Sequence, residues 1–322
     1  MLGVMDPTEM ASLSTEDYLE HWLAHTGGRV RASTLRGYTG LIRLYAVPAL
    51  GQVGLEQLRP LHLQALYARL LGRQPALSAG TVLNLHLVLT QALSQAVRWG
   101  LLLTNPAAGA QPPRPRRPEP RVIDPALAAR ILEAVKGTPV QLPATMALAT
   151  GMRRGEILAM RWADLDPAYT LAQVRRSLQV TPAGLVFTEP KTRRSRRAVA
   201  LPGMLAPHLV SHRAEQDARR GACPRWVDLD LLIEAGEGSP VHPDTLSSAW
   251  LRFLVRSGLP HVRFHDLRHA HATLLLMAGT HPKVVSERLG HASIATTFDI
   301  YSHVIPTMQS EAAAAFDGIF GT

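Results

Sequence analysis

The segment FHDLRHAHATLLL, residues 264–276, concentrates side chains that can bind a metal ion or a phosphate. Three histidines and one arginine fall within its first eight residues. His265 and His269 have the spacing of two zinc ligands on one helix, but the guanidinium of Arg268 would repel a divalent cation one turn away. His265 and Arg268 share a face of a helix. The segment therefore favours a phosphate site, in which a fixed cation lies beside a titratable imidazole.

Two other segments add the groups that phosphoryl transfer would still need. In TGMRRGEILAMRW a turn is followed by a helix, so Arg153 stands at a helix N-terminus, a position that favours anions. LGHASIATTFDIYSHV places His291 just past one helix and Tyr301 near the end of the next. Together they supply a second guanidinium, another imidazole and a candidate nucleophile.

The order of these motifs resembles that of a known enzyme family. TGMRRGE, PKTRRSRR, HDLRH and LGH are followed by a tyrosine ten residues after the last histidine. This pattern resembles the tyrosine recombinases, the phage-integrase type of site-specific DNA recombinase. The resemblance extends from about residue 125 to the C-terminus and, more weakly, over the helical region before it. Each motif alone is weak evidence, whereas their order and spacing together are specific.

The resemblance implies a metal-independent and ATP-independent cleavage of DNA strands. Arg153 and Arg268 would hold the non-bridging oxygens of the scissile phosphate. Tyr301 would attack the phosphorus, leaving a 3′-phosphotyrosine and a free 5′-hydroxyl. Lys191, between two predicted strands, would protonate the leaving oxygen, and His265 would assist acid and base transfer.

The same resemblance gives supporting roles to further residues. His291 would donate a hydrogen bond to the phosphate, and Glu156 would brace the basic cluster. We interpret His269 and His271 as packing or hydrogen-bonding residues. No glycine precedes a lysine, so a Walker A loop is absent. The resemblance implies neither a cofactor nor a metal ion.

Charge and residue usage agree with a polyanionic partner. The formal net charge is +9, and only three lysines stand among the basic residues, an excess that indicates nucleic acid or an anionic membrane surface. In so arginine-rich a chain, Lys191 suggests a need for a movable proton, because arginine hardly deprotonates. The chain has one cysteine and no run of about 20 apolar residues. We expect a cytoplasmic protein, bacterial or phage-encoded, without a membrane partner.

A run rich in proline and arginine divides the chain, because repeated prolines cannot continue a helix. The expected parts are a short tail over residues 1–13, a helical core-type DNA-binding domain over 14–104, a linker over 105–124 and a catalytic domain over 125–322. The expected fold is mainly α with a small antiparallel β-sheet. By resemblance, the first domain is SAM-like, and the two domains form a C-shaped clamp on DNA.

Helical spacing and end signals predict the elements of both domains. The first domain should contain a helix capped by Ser33 or Thr34, a second opened by Pro60, and a third from Ser78 to Gly100. Strands are expected over residues 171–180, 185–189 and 197–201. Helices of the catalytic domain are expected over residues 125–135, 142–160, 243–258, 265–278, 282–289, 293–302 and 308–316.

The expected partners are double-stranded DNA attachment sites, a homotetramer on synapsed DNA that forms from monomers, and an accessory directionality factor. The last predicted helix, over residues 308–316, could pack on its own domain or on a neighbouring protomer. Further arginines are candidates for contacts with the DNA backbone: Arg36, Arg43, Arg114, Arg116 and Arg117.

Three functional alternatives accompany the favoured one, a recombinase that integrates or excises a phage or other mobile element. An Xer-like recombinase would instead resolve replicon multimers. A type IB topoisomerase-like enzyme would only nick and close DNA. A DNA-binding regulator on the same fold would not need Tyr301.

Overall fold

A computed structural model describes residues 13–115, 123–181, 183–189, 196–290 and 316–319 of the chain. The chain divides into two compact units, Met1–Glu119 and Pro120–Thr322. It is mostly helical with a small antiparallel β-structure, as predicted. In the described part, no helix is both long and apolar enough to span a membrane.

The first unit is a bundle of helices around an aromatic and leucine-rich core. Tyr18 is fully buried, and its hydroxyl donates a hydrogen bond to the carbonyl of Ala92 at 2.5 Å. Tyr67 is also buried, so both tyrosines are structural. The α-helices are α1 (Thr15–Gly27), α2 (Ala32–Leu41), α3 (Val47–Leu50), α4 (Pro60–Gly72) and α5 (Ala79–Arg98).

Two of the three predicted helix starts in this unit are confirmed. Pro60 opens α4, and the Ser78 hydroxyl accepts a hydrogen bond from the Thr81 amide at the start of α5. The predicted cap at Ser33 or Thr34 is wrong. Helix α2 begins at Ala32, because Arg31 is extended and its backbone carbonyl accepts the first helical hydrogen bonds.

The second unit packs helices and short strands around a large hydrophobic core, with a smaller cluster at Ala272, Leu276, Val285 and Leu289. Its strands are β1 (Leu171–Val174), β2 (Ser177–Thr181), β3 (Gly184–Thr188) and β4 (Arg197–Ala200). Strands β1 and β4 form one antiparallel pair, and β2 and β3 form another. The helices are α6 (Pro125–Ala134), α7 (Gln141–Thr150), α8 (Arg154–Leu158), α9 (Leu205–Ala222), α10 (Pro243–Arg256), α11 (Asp266–Met277) and α12 (Pro282–Leu289).

The structure corrects the predicted strand over residues 171–180, which is two strands. Successive residues of a regular strand point to opposite faces. Here Arg175 and Arg176 both reach the buried carboxylate of Asp164, at 3.9 and 3.3 Å. Residues 175 and 176 belong to neither strand, so the strand is interrupted between β1 and β2.

Of three further helix predictions, one needs correction and two fall wholly or mostly on residues that the structure does not describe. The single helix predicted over residues 142–160 is divided into α7 and α8 by Gly151. Helix α9 was not predicted, because only Leu205, Leu209 and Gln216 of its 18 residues are buried and its apolar stripe is short. The helix predicted over residues 293–302 lies outside the described residues, as does most of the one over 308–316.

Gly151 determines how closely α7, α11 and α12 approach one another. Its φ of +67° is left-handed, and a Cβ there would lie 2.6 Å from both His271 Cδ2 and Leu289 Cδ2. Gly137 also has a positive φ, +69°, but no atom lies within 4 Å of its virtual Cβ. The two glycines therefore share a backbone requirement and differ in the available space.

We predict that Gly151→Ala lowers the free energy of unfolding by about 2–4 kcal/mol, from left-handed strain plus forced repacking. Gly137→Ala should cost only about 1 kcal/mol, since it carries the strain alone. Urea denaturation of both variants measures the difference. Equal losses would contradict the close approach of α11 and α12 to Gly151.

Candidate functional site

The site is organised around the C-terminal end of α12, where three consecutive carbonyls each accept from a different arginine. Arg197 Nε donates to the carbonyl of Arg288 at 2.6 Å. Arg268 Nη2 donates to the carbonyl of Leu289 at 2.8 Å. Arg153 Nη2 donates to the carbonyl of residue 290 at 3.3 Å. Three guanidinium groups that are distant in sequence are thereby brought together.

Helix chemistry explains why cations gather at this end. The last carbonyls of a helix have no intrahelical donor, and the helix dipole makes this end negative. Helix α12 is capped by Gly290, which is left-handed with a φ of +67°. A Cβ on Gly290 would lie 3.1 Å from Arg197 Nη1. The glycine therefore turns the chain and leaves room for that guanidinium.

Arg153 is held by a carboxylate on its own helix. It is the N-cap of α8, and its amide donates to Glu156 Oε2 at 2.9 Å while its Nη1 donates to Glu156 Oε1 at 2.8 Å. The Arg153 side chain is 39% exposed. Of its five N–H donors, three have no partner among the residues that the structure describes. Guanidinium N–H groups of this kind can bind an oxyanion.

Glu156 is buried and bound from two sides. Arg197 donates to Oε1 from Nη1 at 3.2 Å and to Oε2 from Nη2 at 2.9 Å. Burial by itself would raise the pKa of Glu156, but the hydrogen bonds and charges of Arg197 and Arg153 outweigh it and lower the pKa below its usual value. The carboxylate is therefore ionised at neutral pH and accepts hydrogen bonds from two arginines at once.

Arg268 lies beneath the surface of the site. It is 3% exposed, and its Nη1 donates to the carbonyl of Gly151 at 2.5 Å. Gly151 is two residues from Arg153 in the chain, and the carbonyls that bind Arg268 and Arg153 are adjacent. The structure thus brings together the two arginines that the sequence predicted as a pair.

His265 stands at the start of α11, where its ring meets that of His269 edge to face, with centroids 4.9 Å apart. Partial desolvation, then the charges of His269 and Arg268, lower the pKa of His265 to about 4. The charge of Arg153 acts in the same direction. The residue is exposed, so solvent screening weakens the effect of these charges on the pKa of His265. His265 is neutral at pH 7 and can accept a proton.

His271 is structural. It is buried, and its Nε2 accepts a hydrogen bond from Arg288 Nε at 3.0 Å, so its Nδ1–H donates to the carbonyl of Leu148 at 2.8 Å. Arg288 Nη2 also donates to the carbonyls of Ala149 and Ala200. This chain of contacts fixes the end of α12 to α7 and β4, which in turn fixes the three carbonyls.

Several predicted site residues lie outside the described part of the chain: Lys191, His291, Tyr301, Arg116 and Arg117. Among the DNA-backbone candidates in the first unit, Arg36 and Arg114 are exposed. Arg43 forms a two-pronged ion pair with Glu20, with both contacts at 2.7 Å. A phosphate would have to compete with that carboxylate for Arg43.

Sequence reasoning missed Arg197 and Arg288. Both stand in segments that were singled out, since Arg197 ends PKTRRSRR and Arg288 precedes LGH. Their types alone could not distinguish them from exposed neighbours such as Arg196. Among the described residues, no three or more His, Cys, Asp or Glu side chains cluster as metal ligands.

The neutral state of His271 predicts a pH-dependent stability. Burial, then the charge of Arg288, lowers its pKa from 6.5 to about 4. Between these values the unfolded chain binds more protons than the folded one, so stability falls as pH drops. We expect His271 to account for about 2 kcal/mol of the unfolding free energy lost between pH 7.5 and pH 5.

Denaturant titrations at both pH values measure this loss. His271→Gln should reduce it by about 2 kcal/mol, because glutamine can keep both hydrogen bonds without taking up a proton. His261→Gln, at an exposed position, is the matched control and should not change the loss. A loss that is unchanged in His271→Gln would contradict a buried neutral imidazole.

The chain matches known proteins over both units. Residues 121–308 match the Phage integrase family, and residues 15–71 match the N-terminal SAM-like domain of phage integrases. A protein named "Tyrosine recombinase XerC-like", from Caldanaerobacter subterraneus subsp. tengcongensis, is 30% identical over 282 residues. The alignment covers 82% of this chain and 72% of that protein.

Solved structures share the fold at lower identity. The Tn1549 transposon integrase, in complex with a circular intermediate DNA, has a TM-score of 0.76 at 21% identity, covering 90% of this chain and 95% of that one. A lambda integrase tetramer bound to a Holliday junction has a TM-score of 0.63 at 18% identity, covering 90% and 77%. With its motifs in family order and a family match over more than half its length, the chain belongs to the phage integrase family of tyrosine recombinases, which cleave and rejoin DNA strands at specific sites.

Proposed function

We propose that the arginine cluster at the end of α12 binds the scissile phosphate of a DNA attachment site, and that Tyr301 attacks its phosphorus. One observation carries this proposal: Arg153 and Arg268 donate to adjacent carbonyls at residues 289 and 290. His291 follows directly in the chain, and Tyr301 lies ten residues further.

The two arginines would contribute in different ways. Arg153 is half-exposed and offers N–H donors to the non-bridging oxygens, where charge accumulates in the pentacoordinate state. Arg268 would bind the same phosphate from a buried position, so its charge acts through protein of low dielectric rather than through water. Two fixed cations would supply the neutralisation that a metal ion gives in other phosphoryl-transfer enzymes.

Proton transfer would be divided between two ends of the reaction. A neutral His265 can accept the proton of the attacking Tyr301 hydroxyl, because its lowered pKa keeps the imidazole free of a proton at pH 7. Lys191 would donate the proton that the 5′ oxygen needs in order to leave. His291 would donate a hydrogen bond to the phosphate, and Glu156 would keep Arg153 in place.

The substrate would be double-stranded DNA attachment sites, joined in a homotetramer that assembles from monomers, with an accessory factor setting direction. The lambda integrase tetramer on a Holliday junction supports this assembly by analogy of fold. Additional backbone contacts would come from the arginines proposed above: Arg36, Arg43, Arg114, Arg116 and Arg117.

Integration or excision of a mobile element is the favoured biological role, in line with the likeness to a transposon integrase. Resolution of replicon multimers is the second candidate, because a relative at 30% identity carries the name XerC-like. The location of the recombined sites distinguishes them. Sites at the ends of an element that contains the gene support integration, and a site in a replicon that lacks such an element supports resolution.

We predict that the protein forms a covalent complex with DNA in EDTA. Junction sequencing of the DNA around the coding region first maps the attachment site, which is then built as a nicked duplex that traps the cleaved state. Wild-type protein should yield an adduct that survives denaturing gel electrophoresis. Tyr301→Phe should yield none, because phenylalanine lacks the attacking oxygen.

Tyr169→Phe would not serve as a control, since Tyr169 is partly buried and packs against the core. Tyr38→Phe is better, because it removes a hydroxyl whose described contact is with Gln91 in the first unit. Its adduct should form at the wild-type rate. Absence of a wild-type adduct would contradict the proposed reaction, and an adduct from Tyr301→Phe would exclude Tyr301 as the nucleophile.

A further inference from the structure

Arg197 is the third arginine of the cluster, and no role follows for it from the reaction above. It is the first residue of β4, and its side chain is only 6% exposed. Its Nε binds the carbonyl of Arg288, and its two Nη groups bind the two oxygens of Glu156. All three nitrogens of this guanidinium thus bind groups that hold the site in place, namely the end of α12 and Glu156.

The geometry points to a role for Arg197 as a positioning residue for Arg153, an inference that rests on the proposed function. Glu156 has two oxygens, and an unopposed arginine would take both in a two-pronged pair. Arg197 occupies that arrangement, at 3.2 and 2.9 Å. Arg153 is left with a single side-chain contact to Oε1, at 2.8 Å. The Nη2 group of Arg153 then binds the carbonyl of Gly290 instead of Glu156.

Charge sharing strengthens the same conclusion. One buried carboxylate lies between two guanidiniums, and charges in a buried setting interact strongly. With Arg197 present, Glu156 anchors Arg153 without neutralising it, and one positive charge is left over. Without Arg197, Arg153 and Glu156 would form a closed neutral pair. That pair would attract a phosphate oxyanion much less.

The position of Arg197 in the chain adds a second connection. It follows Lys191 by six residues. Its bond to the Arg288 carbonyl links the start of β4 to the end of α12. Gly290 leaves space for this link, since a Cβ there would press on the Arg197 guanidinium. Arg197 therefore ties the strand after the proposed acid to the turn that holds Arg153.

A matched control is available in the same unit. Arg219 Nη2 donates to Glu234 Oε1 at 2.8 Å, and the Glu234 side chain is 2% exposed. Arg219→Gln removes one partner of a buried glutamate, as Arg197→Gln does, but Arg219 makes no described contact with the three carbonyls. It reports the general cost of disturbing such a pair.

The experiment measures single-turnover adduct formation on the mapped nicked duplex, together with DNA affinity and thermal stability, for wild type, Arg197→Gln, Arg197→Lys and Arg219→Gln. We expect Arg197→Gln to cleave roughly tenfold to a hundredfold more slowly, as for loss of an outer partner of a reactive group. Its DNA affinity should change less than threefold. Arg197→Lys, which keeps the charge but not the fork, should be intermediate, and Arg219→Gln should cleave at the wild-type rate.

A second substrate separates charge from packing. Its scissile phosphate carries a methyl group in place of one non-bridging oxygen and is therefore neutral. If Arg197 prevents Glu156 from neutralising the charge of Arg153, the ratio of the wild-type rate to the Arg197→Gln rate should shrink at least threefold on this substrate. A merely structural role predicts the same ratio on both.

The outcomes are separable. No adduct from wild type overturns the proposed function and the inference with it. A wild-type adduct together with an unchanged Arg197→Gln rate overturns the inference alone. An equal rate ratio on charged and neutral substrates, or an equal loss in Arg219→Gln, also overturns it. If Arg197→Gln does not fold, the same ratios are measured on Arg197→Lys, which retains a cation at the site.

Discussion

The structure of the site depends on the binding of guanidinium groups to the carbonyls that end α12. These carbonyls have no partners within the helix, so cationic donors satisfy them and the helix dipole together. Arg197, Arg268 and Arg153 come from β4, α11 and the start of α8, and they meet at three consecutive residues. Mutual repulsion of three cations is offset by these carbonyls and by one shared carboxylate, Glu156.

Close packing makes this arrangement rigid. Gly151 and Gly290 both adopt left-handed backbone conformations where a side chain would collide with a neighbour. His271 and Arg288 then fasten the end of α12 to the carbonyls of α7 and β4. Because the core around them is dense, the guanidiniums would need little reorganisation if charge developed on a phosphate bound there as proposed. A fixed set of donors would then supply the electrostatic stabilisation that a metal ion gives in other enzymes.

Much of this could be predicted from the sequence, because the signals involved are local. Proline and serine marked the starts of α4 and α5. The motifs around Arg153 and Arg268 predicted these two arginines as a pair, and they bind adjacent carbonyls. The shared carboxylate and the role of Arg197 could not be predicted. They depend on β4 lying against α12, a contact between segments that are about ninety residues apart. The predicted cap of α2 and the single strand predicted over residues 171–180 were wrong for a similar reason. Tertiary contacts and backbone geometry overrode the local pattern there.

A crystal structure of Tyr301→Phe bound to its mapped DNA site would test the proposed phosphate site most directly. We expect Arg153 and Arg268 both to lie within about 3 Å of non-bridging oxygens of one phosphate, a hydrogen-bond distance. Glu156 should still bind Arg153 and Arg197 in that complex. A scissile phosphate placed away from the end of α12, or an Arg153 turned fully into Glu156, would contradict it.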